Sequence, residues 1–214
     1  MIAAMAHDLR TPLTCLQLCL DAAPEAVQGK ALGYCARIRS IIEQGLELAK
    51  SLHASEPKVP LGVAALIDSL EDDIKASGRR VLWRGLSDNS GEEVYISASP
   101  LCLRRCLDNI LDNALRYGKD VEIKAGMTPD GTVIEILDSG PGIPEKELNR
   151  VFEPYFRLES SRNRDSGGTG LGLAIARNMA MLNGARLTLS NRDSGGLQVS
   201  LLFPFDHKEN SHAE

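Results

Sequence analysis

Three motifs follow one another in a fixed order between residues 109 and 172. They are Asn109-Ile-Leu-Asp-Asn113-Ala-Leu-Arg-Tyr-Gly118, then Asp138-Ser-Gly140-Pro-Gly142-Ile-Pro, and finally Gly167-Gly-Thr-Gly-Leu-Gly172-Leu-Ala. The first motif places two amides four residues apart, on one face of a predicted helix. The second places a carboxylate at the end of an apolar strand, and the glycines let backbone approach a ligand closely. Together these features predict a nucleotide pocket.

Two common phosphate-binding loops are absent from the sequence. There is no G-x-x-x-x-G-K-[ST] motif, which excludes a P-loop. The last glycine cluster runs G-x-G-x-G and opens into a helix instead of following a strand, which excludes the fingerprint of a Rossmann fold.

The order of the motifs resembles the ATP-binding domain of sensor histidine kinases, whose fold is shared with gyrase, Hsp90 and MutL. The resemblance spans roughly residues 61–205. Upstream, the segment from Ala6 to Thr14, Ala-His-Asp-Leu-Arg-Thr-Pro-Leu-Thr, is similar to the phosphoacceptor box of the same family. Because these motifs are separated yet keep the family's order, chance is a poor explanation of the match.

The resemblance implies an α+β fold in two parts. Residues 1–56 are expected to form a helical hairpin for dimerisation and phosphoacceptance, which pairs with a second copy as a four-helix bundle. Residues 61–205 are expected to form the ATP-binding catalytic domain, a two-layer α/β sandwich with a mixed sheet on one side and three main helices on the other. Residues 206–214 resemble a disordered tail. The linker, residues 56–62, contains two prolines.

Composition limits the partners that we expect. The 214 residues, 43% of them hydrophobic, suffice for one or two domains with a buried core. A net charge of −5 predicts no nucleic-acid partner. Neither an apolar run of membrane-spanning length nor a signal peptide is visible. Only six residues precede His7, so we expect either a fragment, such as the cytoplasmic portion of an inner-membrane sensor, or input from a partner.

The five cysteines allow two interpretations. They are Cys15, Cys19, Cys35, Cys102 and Cys106. Two pairs are spaced four apart on predicted helices, but no histidine or further cysteine completes a metal-ligand set. The pattern favours small core residues in a reducing compartment.

His7 lies on a predicted helix over residues 2–22, about 160° around its axis from the apolar Leu9. Exposure alone fits a solvated surface histidine as well as a phosphoacceptor. The neighbours favour the phosphoacceptor, because Asp8 follows directly and Thr11 lies one turn further along the same face.

A second amphipathic helix is predicted over residues 31–53, after a break over residues 22–30 that contains Pro24 and Gly29. Its apolar heptad stripe consists of Ala31, Cys35, Ile38, Ile42, Gly45, Ala49 and Leu52. A symmetric dimer would cover the apolar face of such a hairpin. The alternative is that both stripes pack on the second domain of the same chain.

Periodicity predicts the elements of the second domain. They are helices over residues 62–77 and about 17 residues from Pro100, strands over 80–84 and 93–97, a hairpin turn at Thr128-Pro-Asp-Gly131 and a short helix over 144–150.

The resemblance implies the reaction. A ring nitrogen of His7 attacks the γ-phosphate of ATP, and Asp8 acts as general base or orients the imidazole. The phosphoryl group then passes to an aspartate of a response-regulator receiver domain. A neutral imidazole has a free lone pair near physiological pH, and a carboxylate fixes its tautomer. Thr11 matches the position that places a water for dephosphorylation of the regulator, and a plain helix residue is the alternative.

The resemblance also assigns the pocket. Asn109 and Asn113 match positions that ligate Mg²⁺ and contact phosphate, and amide oxygens suit that ion. Asp138 matches the acid that accepts from the adenine amine. The expected ATP-binding residues are Asn109, Asn113, Arg116, Tyr117, Asp138, Gly140, Gly142, Ile143, Arg157, Gly168, Thr169, Gly170, Leu171 and Gly172; the catalytic residues are His7, Asp8, Thr11 and Asn109. Residues 158–168 fit a mobile lid, and the helix N-terminus after them attracts phosphate.

Plainer interpretations exist for each part of the pocket. Two asparagines four apart also occur on ordinary polar helix faces, and Asp-Ser-Gly-Pro-Gly also occurs in ordinary turns. One rival function is an ATPase or serine-directed kinase of the same nucleotide fold, which does not need His7. Another is a non-catalytic dimer module with a degenerate pocket, against which the intact glycine motifs argue.

Overall fold

The computed structural model describes residues 13–14, 16–18, 20–21, 25–51, 56–86, 93–118, 120–158 and 168–205. Four helices are described over their full length: α1 (Glu25–Ser51), α2 (Val63–Ala76), α3 (Pro100–Tyr117) and α4 (Gly172–Leu182). The described residues between 13 and 21 are helical as well. The strands are β1 (Val59–Gly62), β2 (Leu82–Leu86), β3 (Tyr95–Ala98), β4 (Val121–Thr128), β5 (Gly131–Asp138), β6 (Arg186–Asn191) and β7 (Leu197–Pro204). None of the described helices is long and apolar enough to cross a membrane.

The main sheet carries five strands within the described ranges, in the order β2-β4-β5-β7-β6. β2 is parallel to β4, and the other neighbouring pairs are antiparallel. Ile134 and Ile136 of β5 are buried in one core with apolar residues of α2, α3 and α4. The intervening Glu135 accepts a hydrogen bond from Gln198 Nε2 at 2.7 Å on the other face, because successive strand residues alternate between faces. The predicted two-layer sandwich with a mixed sheet is therefore confirmed.

The β4–β5 hairpin also follows the sequence. Thr128 pairs with Gly131 across a two-residue turn, as predicted. A Cβ on Gly131 would lie 2.0 Å from the carbonyl oxygen of Phe203 in β7, and the glycine has φ +150°. The hairpin therefore requires glycine at this position, where the neighbouring strand passes close to the turn.

The linker is shorter than predicted. Four of its residues form β1, which pairs antiparallel with β3 in a two-stranded sheet. Pro60 is tolerated because β1 lies at the edge of that sheet. Glu56, just before β1, accepts a hydrogen bond from Ser99 Oγ at 2.6 Å at the N-terminus of α3.

Two predicted strand boundaries and one predicted helix of the second domain are wrong. β2 and β3 begin two residues later than predicted. For β2 the reason is that Arg79 still belongs to the end of α2, where its N–H donates to the Ile74 carbonyl oxygen at 3.2 Å. The predicted helix over residues 144–150 is instead two 3₁₀ turns, Glu145–Glu147 and Arg150–Phe152, closed by i to i+3 hydrogen bonds.

The predicted break over residues 22–30 is wrong from Glu25 onward. Helix α1 begins directly after Pro24, which limits only the residues before it, and Gly29 is tolerated at about 1 kcal/mol inside a long helix. A straight helix drifts by about 20° per heptad relative to a 3.5-residue repeat. The heptad stripe is accordingly not continuous: Cys35 is 2% exposed, Ile38 is 45% exposed, and Leu48 packs on the core of the sandwich.

Cys106 packs α3 against α4. Its side chain is fully buried, and its Sγ donates to the carbonyl oxygen of Ala176 at 3.3 Å. Burial raises the pKa of the Cys106 thiol to about 12, so the thiol is neutral and unreactive at physiological pH. Cys35, Cys102 and Cys106 are all free and buried, which confirms the core interpretation for them, whereas Cys15 and Cys19 lie outside the described residues.

Candidate functional site

Asn109 lies on α3 where that helix meets the beginning of α4. Its Nδ2 donates to the carbonyl oxygen of Arg105 at 2.8 Å, one turn back on α3. A Cβ on Gly172, the first residue of α4, would lie 3.2 Å from Asn109 Oδ1. The first amide groups of a helix have no acceptor within it. An amide oxygen and a helix N-terminus therefore face the same small space.

Thr169 lies three residues before the start of α4, next to this space. Its Oγ1 accepts a hydrogen bond from the Leu171 N–H at 3.3 Å, and its hydroxyl donates to Gln44 Oε1 on α1. The next residue, Gly170, has φ +77°, and a Cβ there would lie 2.8 Å from the Phe156 carbonyl oxygen. Glycine is required at this position because the approach to α4 turns tightly against that backbone.

Asp138 ends β5 and is 4% exposed. Its Oδ1 accepts hydrogen bonds from the Gly140 N–H at 2.7 Å and the Leu197 N–H at 3.2 Å. Among the described residues both of these bonds go to the same oxygen, which leaves Oδ2 to accept from a ligand. The main chain thus holds the carboxylate in one orientation.

Three glycines make room around Asp138. A Cβ on Gly118 would lie 2.7 Å from Asp138 Cβ, and one on Gly140 would lie 2.8 Å from Asp138 Oδ1. A Cβ on Gly196 would lie only 1.9 Å from the Asp138 carbonyl oxygen. Sequence reasoning selected Gly140 as a site residue but missed the other two, although Gly118 is the last residue of the first motif. In the sequence, Gly196 is only the second residue of a Gly-Gly pair, which is typical of an ordinary turn.

Asn191, at the end of β6, is a second residue that sequence reasoning missed. It accepts from the Ile143 N–H at 2.8 Å and donates through Nδ2 to the Ile143 carbonyl oxygen at 2.7 Å. Gly142, with φ +69°, leaves room for it, because a Cβ there would lie 2.6 Å from Asn191 Oδ1. Arg192 Nη1 donates to the Asp138 carbonyl oxygen at 2.8 Å. No local motif connects β6 to the loop after β5, so only the fold reveals this clamp.

The structure groups the predicted site residues at two places. Asn109, Thr169, Gly170, Leu171 and Gly172 meet where α3 faces α4. Asp138, Gly140, Gly142 and Ile143 meet at the end of β5. Asn113, Arg116 and Tyr117 lie on the last turns of α3, between the two groups in the sequence.

The remaining predicted site residues are placed only in part. Arg157 and Gly168 stand on either side of residues 159–167, which hold most of the predicted lid and lie outside the described residues. His7, Asp8 and Thr11 also lie outside the described residues.

The donor set of the site fits Mg²⁺ and not a metal cage. No three His, Cys, Asp or Glu side chains of the described ranges are grouped to hold a metal. Asn109 Oδ1 is a hard oxygen that faces the open space beside Gly172. Mg²⁺ retains several waters and takes one or two protein oxygens together with substrate phosphates. The residues present therefore suit an ion that arrives with a nucleotide.

Comparison with known proteins agrees with this geometry. Residues 98–207 match the family described as histidine kinase-, DNA gyrase B- and HSP90-like ATPase. The chain is 36% identical over 206 residues to the sensor histidine kinase GtrS of Pseudomonas aeruginosa, covering 95% of this chain and 41% of GtrS. It is 32% identical over 220 residues to the sensor protein RstB of Escherichia coli, covering 97% of this chain and 49% of RstB.

A solved structure extends the comparison to the fold. Full-length ShkA in complex with AMPPNP superposes with a TM-score of 0.68, covering 95% of this chain and 45% of that chain. At 22% identity this likeness concerns the fold alone. The chain thus spans less than half the length of each of these relatives.

The glycines of the β6–β7 turn provide a test of the site's packing. Gly195 (φ +86°) and Gly196 (φ +96°) are both left-handed, but a Cβ on Gly195 meets nothing within 4 Å. Gly195→Ala should cost about 1–2 kcal/mol from its backbone conformation alone. Gly196→Ala should destabilise the protein more, because its Cβ also collides with the Asp138 carbonyl oxygen. Equal losses for the two variants in urea unfolding would show that this contact does not shape the site.

Proposed function

Because the chain belongs to the histidine kinase-, DNA gyrase B- and HSP90-like ATPases, and among them to the sensor histidine kinases, we propose that it is the catalytic core of a two-component sensor. In this proposal the core transfers the γ-phosphoryl group of ATP to His7 and then to an aspartate of a response-regulator receiver domain. The same core dephosphorylates the regulator, with Thr11 placing the attacking water.

One observation carries the proposal. Asn109 Oδ1 and the N-terminus of α4 face a common space, and Asp138, at the end of β5, lies next to Gly118 at the C-terminus of α3. A helix N-terminus with open N–H groups attracts phosphate. A carboxylate with an uncommitted oxygen accepts from an exocyclic amine. The two ends of the site therefore suit the two ends of ATP, and ShkA carries an ATP analogue on the same fold.

The residues at the phosphate end position the nucleotide and spread its charge. Asn109 would hold Mg²⁺ through Oδ1, with Asn113 one turn further on the same helix face. When bound, the ion neutralises charge on the phosphates. Thr169 and the first amide groups of α4 would donate to phosphate oxygens, and Arg116 would add a positive charge. Phosphoryl transfer depends on such positioning and charge neutralisation more than on covalent help from the protein.

At the other end, Asp138 would accept the adenine amine through the oxygen that its two main-chain hydrogen bonds leave over. Gly140 and Gly142 would keep side chains away from the base. Asn191 holds the main chain of Ile143, which would lie beside the base. Tyr117, half-buried at the end of α3, would pack against the ring. A main-chain-anchored acceptor selects adenine because guanine presents a carbonyl oxygen at the corresponding position.

His7 would supply the nucleophile. The lone pair of one ring nitrogen forms the bond to the γ-phosphorus, while the bond from phosphorus to the bridging oxygen breaks and releases ADP. Asp8 accepts a hydrogen bond from the other ring nitrogen and stabilises the positive charge that the imidazole acquires. In the second step the regulator's carboxylate forms the new bond to phosphorus, and the phosphorus–nitrogen bond breaks to restore the neutral imidazole.

A second copy of the chain would complete the helical part. Leu16, Ile38 and Ile41 are 48%, 45% and 37% exposed, which supports burial of this apolar surface in a four-helix bundle. We place the core in the cytoplasm, where ATP and receiver domains are available. In a longer protein it would form the cytoplasmic portion of an inner-membrane sensor.

Labelling with γ-labelled ATP and Mg²⁺ tests the reaction class. The chain should acquire an acid-labile, base-stable label, because the phosphorus–nitrogen bond of phosphohistidine is hydrolysed in acid. His7→Gln should abolish the label, whereas His53→Gln, which changes another histidine, should retain it. Undiminished labelling of His7→Gln, or an acid-stable label, would instead support the serine-directed rival.

Asp138→Asn tests the adenine contact. The asparagine Oδ1 retains the two main-chain hydrogen bonds, but its Nδ2 presents a donor to the adenine amine in place of an acceptor. Affinity for a fluorescent ATP analogue should fall about tenfold or more, since a buried polar pair is then mismatched. Asp130→Asn, in the exposed turn between β4 and β5, is the matched control and should bind normally. Equal affinity of both variants would remove Asp138 from the base site.

A further inference from the structure

Helix α1 docks on the catalytic unit through a hydroxyl group that the proposed phosphate site also needs. We propose that Gln44 makes this docking compete with ATP. While α1 is docked, Gln44 Oε1 accepts the hydrogen bond that the Thr169 hydroxyl donates, and a bound nucleotide displaces α1 because a phosphate oxygen accepts that hydrogen bond instead. This inference rests on the proposed function, because it concerns the regulation of the same site.

A chain of hydrogen bonds leads from the phosphate end of the site into α1. The Leu171 N–H donates to Thr169 Oγ1 at 3.3 Å, and the Thr169 hydroxyl donates to Gln44 Oε1. Gln44 Nε2 in turn donates to Ser40 Oγ at 3.1 Å, which fixes the orientation of the amide. A hydroxyl group has a single proton to donate. Thr169 can therefore serve either Gln44 or a phosphate oxygen, but not both at once.

Neighbouring contacts hold α1 against the same edge of the site. Leu48, one turn after Gln44, packs against the core of the sandwich and lines a groove together with Phe152, Pro154, Ala174, Arg177, Asn178 and Met181. Arg105 Nε lies 3.7 Å from Glu47 Oε1, and Arg105 is one turn before Asn109 on α3. The surface that α1 covers is thus continuous with the space between Asn109 and α4.

Tyr155 lies where α1 approaches the catalytic unit, and its backbone is strained. Its φ is +66°, a conformation that a bulky residue rarely adopts and that persists only when the surroundings impose it. Its hydroxyl oxygen would lie 3.7 Å from a Cβ on Gly45, and its N–H donates to the Gly170 carbonyl oxygen at 2.9 Å. One residue therefore lies beside α1 and is hydrogen-bonded to the glycine motif.

The competition has a defined sign in both directions. Docking multiplies the apparent affinity for ATP by the fraction of molecules that are undocked. By linkage, nucleotide must in turn weaken docking. The docked state is therefore a form of the core in which α1 is held against the edge of the site, and nucleotide releases it.

Removal of Gln44 tests the first direction. Affinity of the full chain for a fluorescent ATP analogue with Mg²⁺ should rise in Gln44→Ala by about twofold to tenfold, the range of one ordinary hydrogen bond. Glu43→Ala, at an exposed position next to it on α1, is the matched control and should bind as the parent chain does. In a Thr169→Ala background the additional change Gln44→Ala should have no effect, because the shared hydroxyl is gone.

Hydrogen–deuterium exchange of the parent chain tests the second direction without any substitution. Addition of AMPPNP and Mg²⁺ should accelerate exchange in residues 41–51 of α1 while it protects the beginning of α4. Nucleotide binding with unchanged exchange in α1, or with equal affinity of Gln44→Ala and the parent chain, would overturn the competition and leave the proposed function intact. Absence of nucleotide binding in every variant would overturn both.

Discussion

The close packing of α3 on α4 is the constraint on which the site depends. At one point the two helices meet through small residues: Cys106 is fully buried with its Sγ 3.3 Å from the Ala176 carbonyl oxygen, and Ala176 is fully buried as well. One turn along α3 from Cys106, Asn109 Oδ1 lies 3.2 Å from the position that a Cβ of Gly172 would occupy. A larger residue in place of Cys106 or Ala176 would push α3 and α4 apart. The amide oxygen of Asn109 would then lie farther from the N-terminus of α4, and the proposed phosphate end of the site would be disrupted.

Helix α3 also sets the distance between the two ends of the site. Gly118, at its C-terminus, comes close enough to Asp138 that a Cβ there would lie 2.7 Å from the aspartate Cβ. Gly118 follows Asn109 by nine positions, which corresponds to about 14 Å along a helix. A ligand that contacts both ends must therefore be extended, with an amine-bearing ring at one end and anionic groups at the other. This spacing is the physical reason for assigning a nucleoside triphosphate to the pocket.

The sequence predicted the parts of the structure in which local chemistry and the fold agree. Hydrophobic periodicity located α2, α3 and the β4–β5 hairpin because each buries one face against the same core. The asparagine pair and the glycine motifs could be recognised because each lies within a short stretch of the sequence. Asn191 was not, since it meets Ile143 from 48 residues away and its own neighbourhood resembles an ordinary strand end. The Gln44–Thr169 contact joins residues 125 apart, and only the packing of α1 on α4 brings them together.

A crystal structure of the chain with AMPPNP and Mg²⁺ tests the central claim most directly. The account predicts that the adenine amine lies within hydrogen-bonding distance of Asp138, that the phosphates lie between Asn109 and the first amide groups of α4, and that the ion contacts Asn109 Oδ1. A nucleotide bound elsewhere, or bound here with its base away from Asp138 and its phosphates away from α4, would contradict it.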